Sequence, residues 1–225
     1  MEDAADPWST ANGTGFANDV VREAFAAVHV DIKFRVQPYS RCKANLMAGA
    51  VAACLSMSWL PEFKGKVVFS KKPLFVCQSD YYYDTTKPLK AKSEAEIPAG
   101  SIVGIVPGYE YPSGVATLKK RGIVLDESGT EESNLKKVAL GRLDFAIVNH
   151  NNIKPVAKTI ITPETSAPVG FAFKAGSLES FIGFSPKNPK GEWARKKFDA
   201  GHDIIIRNGT VHRLELKWAA GTGSR

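Results

Sequence analysis

The stretch from Val30 to Pro61 restricts the folds open to this chain more than any other, because its hydrophobic period changes twice in quick succession. Val30, Ile32, Phe34 and Val36 alternate with Asp31, Lys33 and Arg35, the period of two expected of a strand, and Pro38 ends the run. A short helix follows, with Ser40 placed to cap it and Gly49 to close it. The run Ala50 to Leu55 is short and apolar, as in a strand buried on both faces, and it opens into Ser56-Met57-Ser58. Upstream, Asn18 is placed to cap a helix whose apolar stripe is Val20, Val21, Phe25 and Val28. The αβαβ order predicts an α/β protein with a mostly parallel sheet and right-handed crossovers. Ligands of such sheets bind beyond the carboxyl ends of the strands, which makes Tyr39, Arg41, Ser56, Met57 and Ser58 candidate contacts.

The same kind of unit then returns. Ser101 to Val106 is a buried strand, followed by a Pro- and Gly-rich turn, a short helix to Arg121-Gly122, a strand Ile123 to Leu125 and a helix Glu132 to Leu140 closed by Gly141. Asp144 to Val148 is a further strand, ending in the loop Asn149-His150-Asn151-Asn152. Two βα repeats joined by an irregular link imply two lobes, each with its own sheet, and a ligand cleft between them. Phe171 to Phe173 reads as a short strand, and the helices from Glu192 to Ile206 and on to Trp218 return to the first lobe. Lobe 1 is expected to span residues 1–75 and 171–220, and lobe 2 residues 79–166. Crossings at Leu74 to Ser79 and Ser166 to Gly170 form the hinge, and residues 221–225 read as a disordered tail or an expression scar.

Composition narrows the function classes. No apolar run approaches the ~20 residues needed to span a bilayer, and the polar, acidic opening MEDAADPW is no signal peptide. The protein is therefore cytoplasmic or has lost a leader. Thirty Lys and Arg against 23 Asp and Glu leave a charge of +7. The basic runs, such as Lys71-Lys72 and Lys119-Lys120-Arg121, do not interleave with aromatic residues, so they read as solvated faces and no nucleic-acid partner is expected. Cys42, Cys54 and Cys77 lack CxxC spacing, and His29, His150, His202 and His212 are scattered, so neither a metal site nor a cofactor is expected. No nucleophile elbow or phosphate loop is present, and no enzyme activity is expected. Cys42 opens the helix and Cys54 closes the strand running back beside it. That placement permits a disulfide and is equally consistent with two buried thiols; an oxidising compartment selects the bond.

Several motifs fall in one order. Gly15-Phe16-Ala17-Asn18-Asp19 matches a G-F-D-x-D helix opening, Gly49-Ala50-Val51-Ala52-Ala53 a G-x-x-D-A turn, Met57-Ser58-Trp59-Leu60-Pro61-Glu62-Phe63 an M-T-x-T-P-E-R segment, and Val68-Phe69-Ser70 with Pro73-Leu74 a D-F-S-x-P-Y segment. Val103-Gly104-Ile105 with Gly108-Tyr109, then Gly141-Arg142-Leu143-Asp144-Phe145-Ala146, match V-G-V, G-T and G-R-V-D-A. In this order the sequence resembles the extracytoplasmic solute-binding proteins of ABC importers, family 3, the polar amino acid binding type. The resemblance implies a two-lobed periplasmic-binding-protein fold of type II, a periplasmic location with its leader absent from this chain, and a monomer. Its function would be to deliver a small polar ligand to an inner-membrane ABC permease. Relatives with this fold also include sensor domains and dehydratases.

Two departures bear on the ligand. The arginine of T-P-E-R clamps an α-carboxylate in the family and here is Phe63; the carboxylate that holds the α-ammonium is here Asn149. Arg41 is placed to restore an anion contact, Trp8, Tyr39 and Trp59 to stack on a ligand, and Tyr109 and Glu110 to meet it at a helix opening. The family's first strand has no counterpart, since Glu2 to Asp6 is too polar and short. For His150 a solvated side chain is expected.

Overall fold

The structure, a computed structural model, describes residues 4–155 and 169–221. The nine strands of these residues are β1 (Ala4–Ala5), β2 (Ser9–Thr10), β3 (Ala53–Ser58), β4 (Val68–Phe69), β5 (Phe75–Asp84), β6 (Ile102–Ile105), β7 (Val124–Glu127), β8 (Phe145–His150) and β9 (Val169–Phe184). The helices are α1 (Phe16–Ala26), α2 (Tyr39–Met47), α3 (Val115–Lys120), α4 (Glu131–Ala139), α5 (Gly191–Arg207) and α6 (Thr210–Ala219). Packing divides the chain into unit 1, residues 1–76 and 179–225, and unit 2, residues 77–178. The chain passes between them inside β5 and inside β9. Among the described residues the hydrogen-bonded order is β3-β9-β5-β8-β6-β7, with β4 also on β9. Ser166 to Pro168, part of an expected crossing, and residues 222–225, most of the expected tail, lie outside the described residues.

In unit 1, α1 buries Val20, Val21 and Phe25 of the expected stripe together with Phe16, while Val28 lies beyond the end of the helix and is half-buried. The helix lies against α5 so closely that a Cβ on Gly201 would fall 1.8 Å from the Ala24 carbonyl oxygen, and Phe25 meets Phe198 at 5.8 Å. The Trp218 indole N–H of α6 donates to the Asp19 carboxylate at 3.0 Å. Three local expectations are corrected. Asn18 lies inside α1, its amide donating back to the Thr14 carbonyl at 2.7 Å and accepting from Ser9. Ser40 lies inside α2, whose N-cap is Pro38. Val30 to Val36 is irregular chain rather than a strand, because alternation makes a strand only where a second backbone edge completes its hydrogen bonds. The first βαβ unit is consequently not closed, and β3 and β4 both pair antiparallel with β9. Gly49 does close α2, at φ 82°.

In unit 2, β6 pairs in parallel with β7 and β8, while β8 pairs antiparallel with β5. The sheet is covered on both faces, which its alternation encodes. Tyr81, Phe145 and Ile147 enter one core with Val103, Ile105 and Phe173; Tyr82, Ala146 and Val148 enter the other with Leu135 and Val138 of α4. Thr130 caps α4 by accepting from the Ser133 N–H at 3.1 Å. The strand expected to be short at Phe171 runs for sixteen residues.

Candidate functional site

In unit 1 the candidate residues gather where α2 begins beside β3. Cys42 and Cys54 are bonded, with their Cα atoms 5.9 Å apart, which pins the first turn of α2 to the start of β3. The Tyr39 hydroxyl donates to the Ser56 carbonyl at 3.2 Å. Ser56 has φ 60°, at the register shift between Cys54 and Met57, and its buried hydroxyl has no hydrogen-bond partner among the described residues. A positive φ on a non-glycine residue is strained backbone of the sort concentrated at functional sites. One helical turn after Tyr39, the Lys43 ammonium stands 4.8 Å from the Tyr39 ring centroid and 5.6 Å from that of Phe63. Phe63 itself is buried and packs on Phe69 at 6.3 Å. Ser58 is buried, whereas Arg41 and Trp59 are exposed.

Two candidates belong to the core instead. Trp8 is stacked on Phe75, centroids 5.2 Å apart and planes within 8°. Met57 is fully buried above Gly183, where a Cβ would come within 2.5 Å of its sulfur.

In unit 2 the ladder between β5 and β8 sets Ser79 opposite Asn149. The Ser79 hydroxyl donates to the Asn149 amide oxygen at 2.6 Å, and the Asn149 backbone N–H donates to Glu131 at 2.7 Å. The second oxygen of Glu131 accepts from Lys154 at 2.5 Å. Cys77, two residues before Ser79, is buried, and burial followed by the Glu131 charge pushes its thiol up to about 12. On the other face of the ladder His150 Nε2 lies 2.7 Å from the Asp80 carboxylate, so His150 is paired rather than solvated. Asn149 and His150 lie in β8 rather than in the loop after it, since pairing with β5 prolongs the strand. Glu110 is buried and Tyr109 half-buried. α3 begins only at Val115, so neither of them sits at its N-terminus as expected.

Sequence reasoning missed Lys43, Ser79, Glu131 and Lys154. The i, i+4 spacing from Tyr39 signalled Lys43, and the position of Glu131 directly after the Thr130 cap marked a first-turn carboxylate. Nothing local signalled Ser79 or Lys154. Among the described residues no cluster of three His, Cys, Asp or Glu side chains is placed to hold a metal, and no helix is long and apolar enough to cross a membrane.

No family model and no curated protein matches the chain. Solved structures do. An ancestral arginine-binding protein bound to arginine superposes with a TM-score of 0.77 at 19% identity, covering 96% of this chain and 95% of that one. A histidine kinase sensor domain with similarity to periplasmic binding proteins superposes at 0.77, with 16% identity and 96% and 93% coverage. The arginine-, lysine-, histidine-binding protein ArtJ from Geobacillus stearothermophilus superposes at 0.71, with 17% identity and 96% and 92% coverage. At these identities the likeness is one of fold, and the chain has the type II periplasmic-binding-protein-like fold of these neighbours.

Proposed function

We propose that this protein is a solute-binding protein that captures one small polar molecule and presents it to a membrane permease. The observation that carries the reading is a fold shared over 96% of the chain with proteins that bind arginine, lysine and histidine. The ligand contacts we assign are Tyr39, Arg41, Ser56, Ser58 and Trp59 in unit 1, and Tyr109, Glu110 and Asn149 in unit 2. A ligand other than an α-amino acid held in the family's usual way is favoured by the replacements at both clamp positions. Phe63 is buried against an aromatic neighbour, and Asn149 is a neutral amide engaged by Ser79. The Cys42–Cys54 bond supports a periplasmic location, where disulfides persist.

A thermal-shift screen over amino acids, amines, sugars, nucleobases and organic acids tests this, because a ligand bound only by the folded state raises Tm. The expected result is a saturable shift from a compound outside the common α-amino acids, reached only at higher ligand concentration in Arg41→Ala. Turnover of the compound would instead indicate an enzyme. A second reading, a ligand-sensing domain, is favoured by the likeness to the kinase sensor domain. A kinase or membrane-spanning segment in the same gene would select it, and adjacent permease genes would select transport.

A further inference from the structure

Ser79 and Asn149 stand opposite one another in the ladder of β5 and β8, and Ser79 decides which end of the Asn149 amide is left for a ligand. Ser79 is wholly buried, so its hydroxyl hydrogen must find an acceptor inside the protein. Among the described residues that acceptor is the Asn149 Oδ1, at 2.6 Å. Turning the amide over would set Nδ2 against the Ser79 oxygen and leave the buried O–H without an acceptor, which is the costlier arrangement. The backbone that carries the amide is held as well. The Asn149 N–H donates to one oxygen of Glu131 at 2.7 Å, and the other oxygen accepts from Lys154. Asn149 is only 6% exposed, yet its Nδ2 meets no acceptor among the described residues.

An amide nitrogen only donates. A ligand ammonium, which also only donates, therefore finds no partner in Nδ2, and the carboxylate bonded to the Asn149 backbone is already paired with Lys154. The group this position can receive is an oxygen. Because the amide is uncharged and the Lys154 cation is engaged by Glu131, a carbonyl oxygen matches it better than a carboxylate does. We propose that the solute is a small oxo acid, whose carbonyl oxygen accepts from Asn149 Nδ2 and whose acid group is the anion that Arg41 meets. Ser79 is then a positioning residue that sets the direction of the amide. The inference rests on the solute-binding reading and gives the chemical class of the solute.

Three pairs of compounds that differ only in this group test it by isothermal titration: pyruvate and L-alanine, 2-oxoglutarate and L-glutamate, 5-guanidino-2-oxopentanoate and L-arginine. In at least one pair the oxo member should bind about tenfold or more tightly than the amino member. Asn149→Asp keeps the shape and still accepts from Ser79, and it should reverse the preference within that pair, since a carboxylate accepts from an ammonium and repels a carbonyl oxygen. Ser79→Ala frees the amide to turn and should narrow the difference between the two members. Thermal melts of the unliganded variants separate these effects from a failure to fold. The inference is overturned if the amino members bind more tightly, if Asn149→Asp leaves the preference unchanged, or if no oxo member binds. In that last case a hit from another class in the wider thermal-shift screen would preserve the solute-binding reading, and the absence of any hit would remove both.

Discussion

Removing the Cys42–Cys54 bond should cost stability by an amount the loop length sets. Twelve positions separate the two cysteines, and the chain-entropy relation for closing a loop of that size gives about 3 kcal/mol at 25 °C. For a chain of 225 residues, each kcal/mol corresponds to roughly 2–4 °C in Tm, so the reduced protein should melt about 6–12 °C lower. Reduction is a cleaner perturbation than mutation. Both sulfurs are fully buried, and a buried thiol packs as a small hydrophobe, so little beyond the cross-link changes. The same burial shields the bond, so the protein should be unfolded in reductant, refolded and kept reduced, then compared by calorimetry with an oxidised sample treated alike. Amides of Ala53 to Ser58 should exchange faster in the reduced form, because the bond ties β3 to α2. Three alkylatable thiols in the unreduced, denatured protein, or coincident melts of the two forms, would refute the reasoning.

Gly201→Ala should destabilise unit 1 by an amount at the upper end of ~1–3 kcal/mol, measured by urea melts, because its methyl would overlap the Ala24 carbonyl; an unchanged midpoint would contradict the packing of α1 on α5. Burial holds His202 below the usual histidine pKa, so the unfolded chain takes up the proton first. Its share of stability is present above about pH 6.5 and lost as the pH falls below that value. His202→Gln should flatten that part of the stability profile, and an unaltered slope would assign it to other groups. The Cys77 thiol, pushed up to about 12 by burial, should resist iodoacetamide at neutral pH until the protein is denatured, and fast labelling of the folded protein would show it accessible. Arg41→Ala should weaken ligand binding by about 1.5–3 kcal/mol, the loss expected for a charged hydrogen bond, with the unliganded Tm nearly unchanged. A large fall in that Tm would make Arg41 a structural residue.

Local chemistry was legible wherever one element suffices to express it. The stripe Val20, Val21 and Phe25 buries a helix whatever it packs against, and Gly49 can take φ 82° at the end of α2 at no steric cost. The apolar run Phe145-Ala146-Ile147-Val148 was legible as a strand, and its residues enter the two cores on either face of the sheet. Helical hydrogen bonds close within the segment that makes them, so sequence pattern and outcome agree there. Strand bonds close between segments, which is why Val30 to Val36, with better alternation than most of β9, forms no strand while Val169 to Phe184 extends through three glycines. The candidate site divides in the same way. Tyr39, Ser56 and Asn149 were visible as polar residues near the ends of apolar runs. That Lys43 lies over Tyr39 and Phe63, and that Lys154 reaches Glu131 across 23 positions, was decided by tertiary structure alone, because the position of a charge depends on the partners that folding places beside it.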